Sequence, residues 1–190
     1  MEAGESYDFV IIGAGTAGCL LADRLSADGR HRVLLLEAGG RDRSPWIHIP
    51  VGYGRLFDDP RTNWRYESEP EPELNDRRLY QPRGKVLGGT SSINGLLYTR
   101  GARGDFDQWR RLGNIGWGYD DVLPYFRRLE DRRGAGTHYG RGGPLAVDEP
   151  AQRSELADAF LAAAAEAGHP VLEDFNGGDA EGAGYFQVTA

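Results

Sequence analysis

Phe9-Val10-Ile11-Ile12-Gly13-Ala14-Gly15-Thr16-Ala17-Gly18 decides how the rest of the chain is read. A continuous apolar run stopped by glycine predicts a short strand buried on both faces, as in a parallel sheet. Behind the glycines, Ala17, Leu20, Leu21 and Leu25 recur at helical spacing, with Asp23, Arg24 and Asp28 on the other face. Gly29 is placed to end that helix. Val33-Leu34-Leu35-Leu36 then predicts a second buried strand, which stops at Glu37. Strand, helix and strand within about 30 residues make a βαβ unit, with parallel pairing and a right-handed crossover. The predicted fold class is α/β and Rossmann-like.

The glycines carry chemistry as well as a turn. In Gly13-x-Gly15-x-x-Gly18 the first glycine permits the tight turn and the second lets backbone approach a pyrophosphate. The third lets the helix pack closely on the strand. The helix N-terminus presents free N–H groups and a partial positive charge to an anion. Glu37 lies about 24 residues beyond Gly13. An acid there accepts hydrogen bonds from ribose hydroxyls and repels a 2′-phosphate. NADP is therefore disfavoured, while NAD and FAD both remain. Glycines that only make a tight βα turn would leave the strand-end acid unexplained. Glu37 on its own reads equally well as a solvated strand end.

Working outward, the periodicity fails in residues 41–82, which read as an extended loop region. Pro45, Pro50, Pro60, Pro70 and Pro72 punctuate it, and Glu67–Glu73 reads as a charged, solvated stretch. A long ordered loop in a compact domain usually has a function or covers something. Residues 108–190 read as helices and loops. Tyr119–Arg128 predicts a helix begun by Asp120 or Asp121, with Pro124 in its first turn. Gly134–Gly143 reads as a glycine-rich loop. Ser154–Ala167 predicts a helix with Leu156, Phe160, Leu161 and Ala164 on one side and Gly168 as its stop. Tyr185–Thr189 reads as the start of a strand.

Composition narrows the function class. The 190 residues include 28 glycines, about twice the usual share of roughly 7% and without a collagen-like period, so their roles are local. Lys and Arg number 22 against 29 Asp and Glu, a net charge of −7 that argues against nucleic acid as a partner. One cysteine, Cys19, excludes a disulfide framework and a cysteine-based zinc site. No apolar run approaches the ~18 residues of a membrane span. The first residues lack the apolar core of a secretory signal. The expectation is a soluble, cytoplasmic protein with no metal site.

A second motif separates the cofactors that the first leaves open. Residues 83–107 contain Arg83-Gly84-Lys85-Val86-Leu87-Gly88-Gly89-Thr90-Ser91-Ser92-Ile93-Asn94-Gly95, which is foreign to a minimal nicotinamide domain. Paired glycines let backbone N–H groups form an anion- or carbonyl-binding concavity, and Thr90, Ser91 and Asn94 add polar groups beside it. That chemistry suits a flavin ring edge and its pyrophosphate. Its plainer reading is a glycine loop followed by a helix cap. From Gly84 through Tyr98 and Gly101 to Asp107, the pattern resembles the N-terminal part of the glucose–methanol–choline (GMC) flavoprotein oxidoreductases. Glu37-Ala38-Gly39-Gly40, Trp46–Pro50, Asn63–Tyr66, Gly116–Phe126 and Asp174–Gly177 match as well. The resemblance covers the chain after residue 6 and is nearest to the choline dehydrogenase-like branch.

The resemblance implies FAD, a two-domain fold of which this chain is part, and oxidation of a small-molecule alcohol by hydride transfer to the flavin. It implies that Gly13, Gly15, Thr16, Ala17 and Gly18 form the FAD pyrophosphate loop and that Glu37 is the ribose acid. It implies that Gly88, Gly89, Thr90 and Ser91 form a backbone bed near the flavin ring. Val86, Asn94, Gly95, Leu96 and Leu97 correspond to positions lining the flavin. Some members bind FAD covalently through a histidine where this chain has Ile93, so non-covalent FAD is expected. The family's catalytic histidine lies near the C-terminus of a longer chain, and His31, His48, His138 and His169 do not match it. No catalytic residue is expected among these residues. His31 reads as solvated, Cys19 as helix packing, and the four tryptophans as packing anchors. Arg127, Arg128, Arg132 and Arg133 read as a solvated helix end. The sequence reads as the cofactor-holding front of a larger enzyme, inactive alone, with a complementary chain as a possible partner. A nicotinamide dehydrogenase fragment and a non-catalytic remnant are the rivals.

Overall fold

A computed structural model describes residues 5–132, 136, 138–177 and 181–189. The chain divides into two units, Met1–Gly95 and Leu96–Ala190. In the first, strands β1 (Phe9–Ile12) and β2 (Val33–Leu36) pair in parallel, in register from Phe9 opposite Val33 to Ile12 opposite Leu36. Helix α1 (Thr16–Ser26) connects them, so the βαβ unit is as expected. Gly29 takes φ +68° and donates its N–H to the Ser26 carbonyl at 3.0 Å, which reverses the chain towards β2.

Residues 41–82 are more structured than their periodicity indicates. They form two single-turn helices, α2 (Pro45–His48) and α3 (Tyr53–Leu56). An antiparallel pair follows, β3 (Tyr66–Glu67) with β4 (Tyr80–Gln81), so the charged stretch begins inside a ladder. The buried Asn63 amide organises this segment. Its Nδ2 donates to the Phe57 carbonyl at 2.7 Å, and its Oδ1 accepts the N–H groups of Arg65 and Arg83 at 2.9 and 3.0 Å. Order that comes from one side chain's hydrogen bonds to backbone leaves no trace in hydrophobic spacing. Leu56, Val86 and Ile93, each 1% exposed, form the core of this unit, with Ile47 packed against them.

The second unit holds β5 (Leu97–Tyr98), α4 (Arg103–Arg111), α5 (Tyr119–Leu129), β6 (Glu130–Asp131) and β7 (Leu145–Ala146). It continues with α6 (Glu155–Glu166), β8 (Val171–Leu172), β9 (Ala183–Gly184) and β10 (Gln187–Val188). Only residues 187–188 of the expected final strand pair, antiparallel to β5. Helix α5 begins at Tyr119 as expected, but its cap is Gly118 rather than Asp120 or Asp121, because Asp107 accepts the Tyr119 N–H at 3.0 Å and Asp121 accepts the Gly118 N–H at 3.1 Å. Pro124 is consequently inside the helix, beyond the first turn. Helix α6 matches its expected span, yet Leu156 and Phe160 remain exposed. Gly134, Ala135 and Thr137 of the glycine-rich loop, and Arg133 before it, lie outside the described residues.

A buried ion pair centres this unit. The Arg100 and Glu130 side chains are both 0% exposed and meet at two points, Nε–Oε1 at 2.7 Å and Nη2–Oε2 at 2.5 Å. Glu130 also accepts the Tyr98 hydroxyl and the Gly140 N–H. Asn176 accepts the Arg100 N–H at 2.7 Å and donates to Gln187 at 3.1 Å. Arg132 corrects the reading of a solvated helix end. It is buried, and it pairs with Asp174 at 2.8 Å and Glu149 at 2.7 Å. Charge runs do not show which member will meet acids that are distant in sequence.

Burial acts to raise the Glu130 carboxyl, but the hydrogen bonds from Arg100, Tyr98 and Gly140 outweigh it and hold the group below the ordinary range. Its stabilisation is therefore present above the unfolded value of about 4.5 and is lost as pH falls through the lower folded value. Glu130→Gln strands the Arg100 charge and is expected to lower unfolding free energy by about 3–5 kcal/mol at neutral pH. Urea titrations of both proteins between neutral pH and acid check this, and the gap between them should narrow in acid.

Candidate functional site

The first unit brings two glycine loops together. Gly13, at φ +97°, turns the chain at the end of β1 and donates to the Leu36 carbonyl at 2.7 Å. Gly15 caps α1 in an extended conformation, and Thr16 and Ala17 open the helix. A methyl group at Gly18 would lie 1.9 Å from the Gly13 carbonyl oxygen, so this glycine is what lets helix and turn touch. The second loop then arrives. Gly88, at φ +90°, donates to the Ala14 carbonyl at 2.8 Å, and its backbone is bridged to Gly15. Gly89, at φ +60°, comes so close that a methyl group on it would lie 2.8 Å from the Gly15 Cα.

Side chains complete the join. Thr16 Oγ1 donates to Ser91 Oγ at 2.9 Å, and Ser91 Oγ donates to the Gly88 carbonyl at 2.7 Å. Thr90 Oγ1 accepts the Gly84 N–H at 3.1 Å. Gly89–Ser92 form a single turn of 3₁₀ helix. Val86 packs its side chain into the core and bridges Gly40 through its backbone. Asn94 is exposed, and Gly95 lies near the Tyr53 ring. Leu96, at φ +63°, and the exposed Leu97 belong to the second unit, where the Leu96 carbonyl accepts the Thr189 N–H at 2.9 Å.

Glu37 sits at the end of β2 with both carboxylate oxygens engaged. Oε2 accepts the Ala14 N–H and Oε1 the Gly39 N–H, each at 2.8 Å. Sequence reasoning gave no role to the backbone at Gly39. A methyl group there would lie 2.0 Å from the Lys85 carbonyl oxygen, so Gly39 is the point where the strand end meets the second loop. Asn63 was likewise unassigned, and no local signal marks an asparagine as a hub. The four histidines are exposed, and none lies in either glycine loop. His48 Nε2 is 2.6 Å from the Asp42 carbonyl oxygen, and the His138 carbonyl accepts Arg100. Cys19 is half-buried, its thiol 3.2 Å from the Ala14 carbonyl. Among the described residues no group of His, Cys, Asp or Glu is arranged to hold a metal. Nor is any helix long and apolar enough to cross a membrane.

Residues 7–190 match the family model described as GMC oxidoreductase. The chain belongs to that family. It is 50% identical over 183 residues to an oxygen-dependent choline dehydrogenase of Rhizobium rhizogenes, covering 96% of this chain and 33% of that protein. Among solved structures it is similar to pyridoxine 4-oxidase from Mesorbium loti, at TM-score 0.90 and 38% identity, covering 97% of this chain and 37% of the other. It is also similar to an FAD-dependent oxidoreductase from Chaetomium thermophilum, at TM-score 0.83 and 31% identity, covering 97% and 33%. The chain thus spans about a third of the length of the curated relative. The GMC family is one of oxidoreductases, and its cofactor is FAD.

The residues present fit that cofactor. Helix α1 carries no side-chain cap and no acid in its first turn, so its positive end is left for an anion. Open space lies where a methyl group on Gly13 would point, and beside Gly15 the nearest atom to such a group is 4.0 Å away. The second and third glycines of the fingerprint, Gly15 and Gly18, therefore differ in kind. Gly15→Ala is expected to fold with little change in melting temperature yet to weaken FAD binding at least tenfold. Gly18→Ala is expected to lower the melting temperature itself. Thermal melts of the two apo variants, followed by flavin fluorescence titration of the one that folds, check this pair.

Proposed function

We propose that this chain is the cofactor-holding part of an FAD-dependent oxidoreductase that converts an alcohol to an aldehyde or ketone. The observation that carries the reading is the junction of the two glycine loops, Gly88 on Ala14 and Thr16 on Ser91, in a chain half identical to an oxygen-dependent choline dehydrogenase. FAD, when bound, supplies the acceptor for a hydride leaving the alcohol carbon. The turn Gly13–Gly18 and the N-terminus of α1 would hold its pyrophosphate. Glu37 keeps a lone pair on each oxygen for ribose hydroxyls. Gly88, Gly89, Thr90 and Ser91 would present a narrow backbone bed to the flavin. A general base must reach the substrate hydroxyl, and we assign it to the part of the longer relatives that this chain does not span.

A second reading has its own observation. Ile12 is 87% exposed, and Val10, Leu20, Leu21 and Leu36 are exposed too, although all belong to the βαβ unit. Parallel strands are normally covered on both faces. This favours a chain that functions with a complementary polypeptide lying over these faces. Co-expression with the remaining two thirds of a relative, followed by co-purification and alcohol-dependent flavin reduction, tests it.

Ile93 lacks a nucleophilic atom and is buried in the core. Flavin is therefore expected to leave the protein on acid precipitation and to appear in the supernatant. Flavin retained in the pellet overturns the non-covalent reading, and a purified protein that binds nicotinamide but no flavin overturns the functional one. The 190 residues alone are expected to show no alcohol-dependent bleaching of the flavin absorbance. Turnover by the isolated chain would refute placing the base elsewhere.

A further inference from the structure

We infer that Glu37 is a latch that holds the dinucleotide turn in shape before any cofactor arrives. Ala14 is 0% exposed, so its N–H and carbonyl both need partners within the protein. Its carbonyl is taken by the Gly88 N–H at 2.8 Å and the Cys19 thiol at 3.2 Å. Its N–H has the Glu37 carboxylate, at 2.8 Å. The other carboxylate oxygen holds the Gly39 N–H at 2.8 Å, just where Gly39 presses on the Lys85 carbonyl. One side chain therefore ties the turn after β1 to the segment after β2, and through Gly39 to the loop that carries Gly88.

The chemistry of the partners explains why the residue must be an acid. Both groups that meet Glu37 are N–H donors. A carboxylate is an acceptor at both oxygens and satisfies the two together. A glutamine of the same shape offers one oxygen and one NH₂, so one N–H of the pair faces another donor. An unsatisfied buried donor costs more than a lost hydrogen bond, because its desolvation is not repaid. The latch does not exclude ribose, since each oxygen keeps a second lone pair. Its effect on FAD rests on the functional reading above, whereas its effect on the apo chain does not.

The test separates the two. In the apo chain, amide hydrogen exchange at Ala14 and Gly39 is measured by NMR in the wild type, Glu37→Gln and Glu37→Ala. Both variants are expected to exchange at Ala14 and Gly39 at least about tenfold faster, and Gln is expected to do no better than Ala. FAD titration then follows by flavin fluorescence, with affinity expected to fall about tenfold or more in both variants. Unchanged apo exchange in Glu37→Gln with weakened FAD binding would leave Glu37 as a ribose contact only and overturn the latch. Faster exchange in a chain that binds no FAD even as wild type would uphold the latch and sink the functional reading. Should the variants not fold, through-hydrogen-bond scalar couplings from the Ala14 and Gly39 amides to the Glu37 carboxyl carbon decide the matter in the wild type. Their absence overturns the proposal.

Discussion

Gly88 donating its N–H to the Ala14 carbonyl is the contact on which the first unit depends. It joins segments more than seventy residues apart, and it does so backbone to backbone. A side chain on the second loop would keep such segments apart, so the junction needs glycine at Gly89, where a methyl group would lie 2.8 Å from the Gly15 Cα. Gly88 and Gly89 also take the left-handed conformations that aim the loop at the turn. The Thr16–Ser91 hydrogen bond then fixes the register of the two loops. The junction sets the backbone of both loops at the positive end of α1, the place proposed above for the diphosphate.

The second unit solves a different problem. Its strands are two residues long and its core is small, so apolar burial alone is a weak source of order. A polar network takes its place. Arg100 and Glu130 neutralise each other out of water, with Tyr98 and Gly140 donating to Glu130 and Asn176 joining the Arg100 backbone to Gln187, while Arg100 Nη1 is buried without a hydrogen-bond partner. Arg132 lies across the Tyr139 ring at 4.1 Å while holding Asp174 and Glu149. Buried pairs of this kind stabilise little against an apolar alternative, but losing one partner is costly. The network therefore specifies the arrangement of short, weak elements.

The βαβ unit itself carries the opposite imbalance. It is the most regular part of the chain and has apolar surface to spare. Ile12 and its neighbours would be interior in a full doubly wound sheet. Exposure there agrees with a chain that spans a third of its curated relative. Two strands and one helix cannot cover both faces of a parallel sheet.

The sequence by itself determined the βαβ unit, the fingerprint glycines and the family. Each rests on residues close together in the chain, where strand period, helix period and glycine spacing are read directly. It also singled out the second motif as a glycine loop, whose flavin-facing role is the proposal made above. It did not determine that this loop lies on the first, that Asn63 orders residues 41–82, that Pro124 is inside α5, or that Arg132 is buried. Nor did it show that both oxygens of Glu37 hold backbone N–H groups. Those features are hydrogen bonds and ion pairs between residues far apart in sequence, often to backbone, which is chemically the same at every position. Only the tertiary structure decides them, because partner identity there depends on which segments meet in space and not on the residues that flank them.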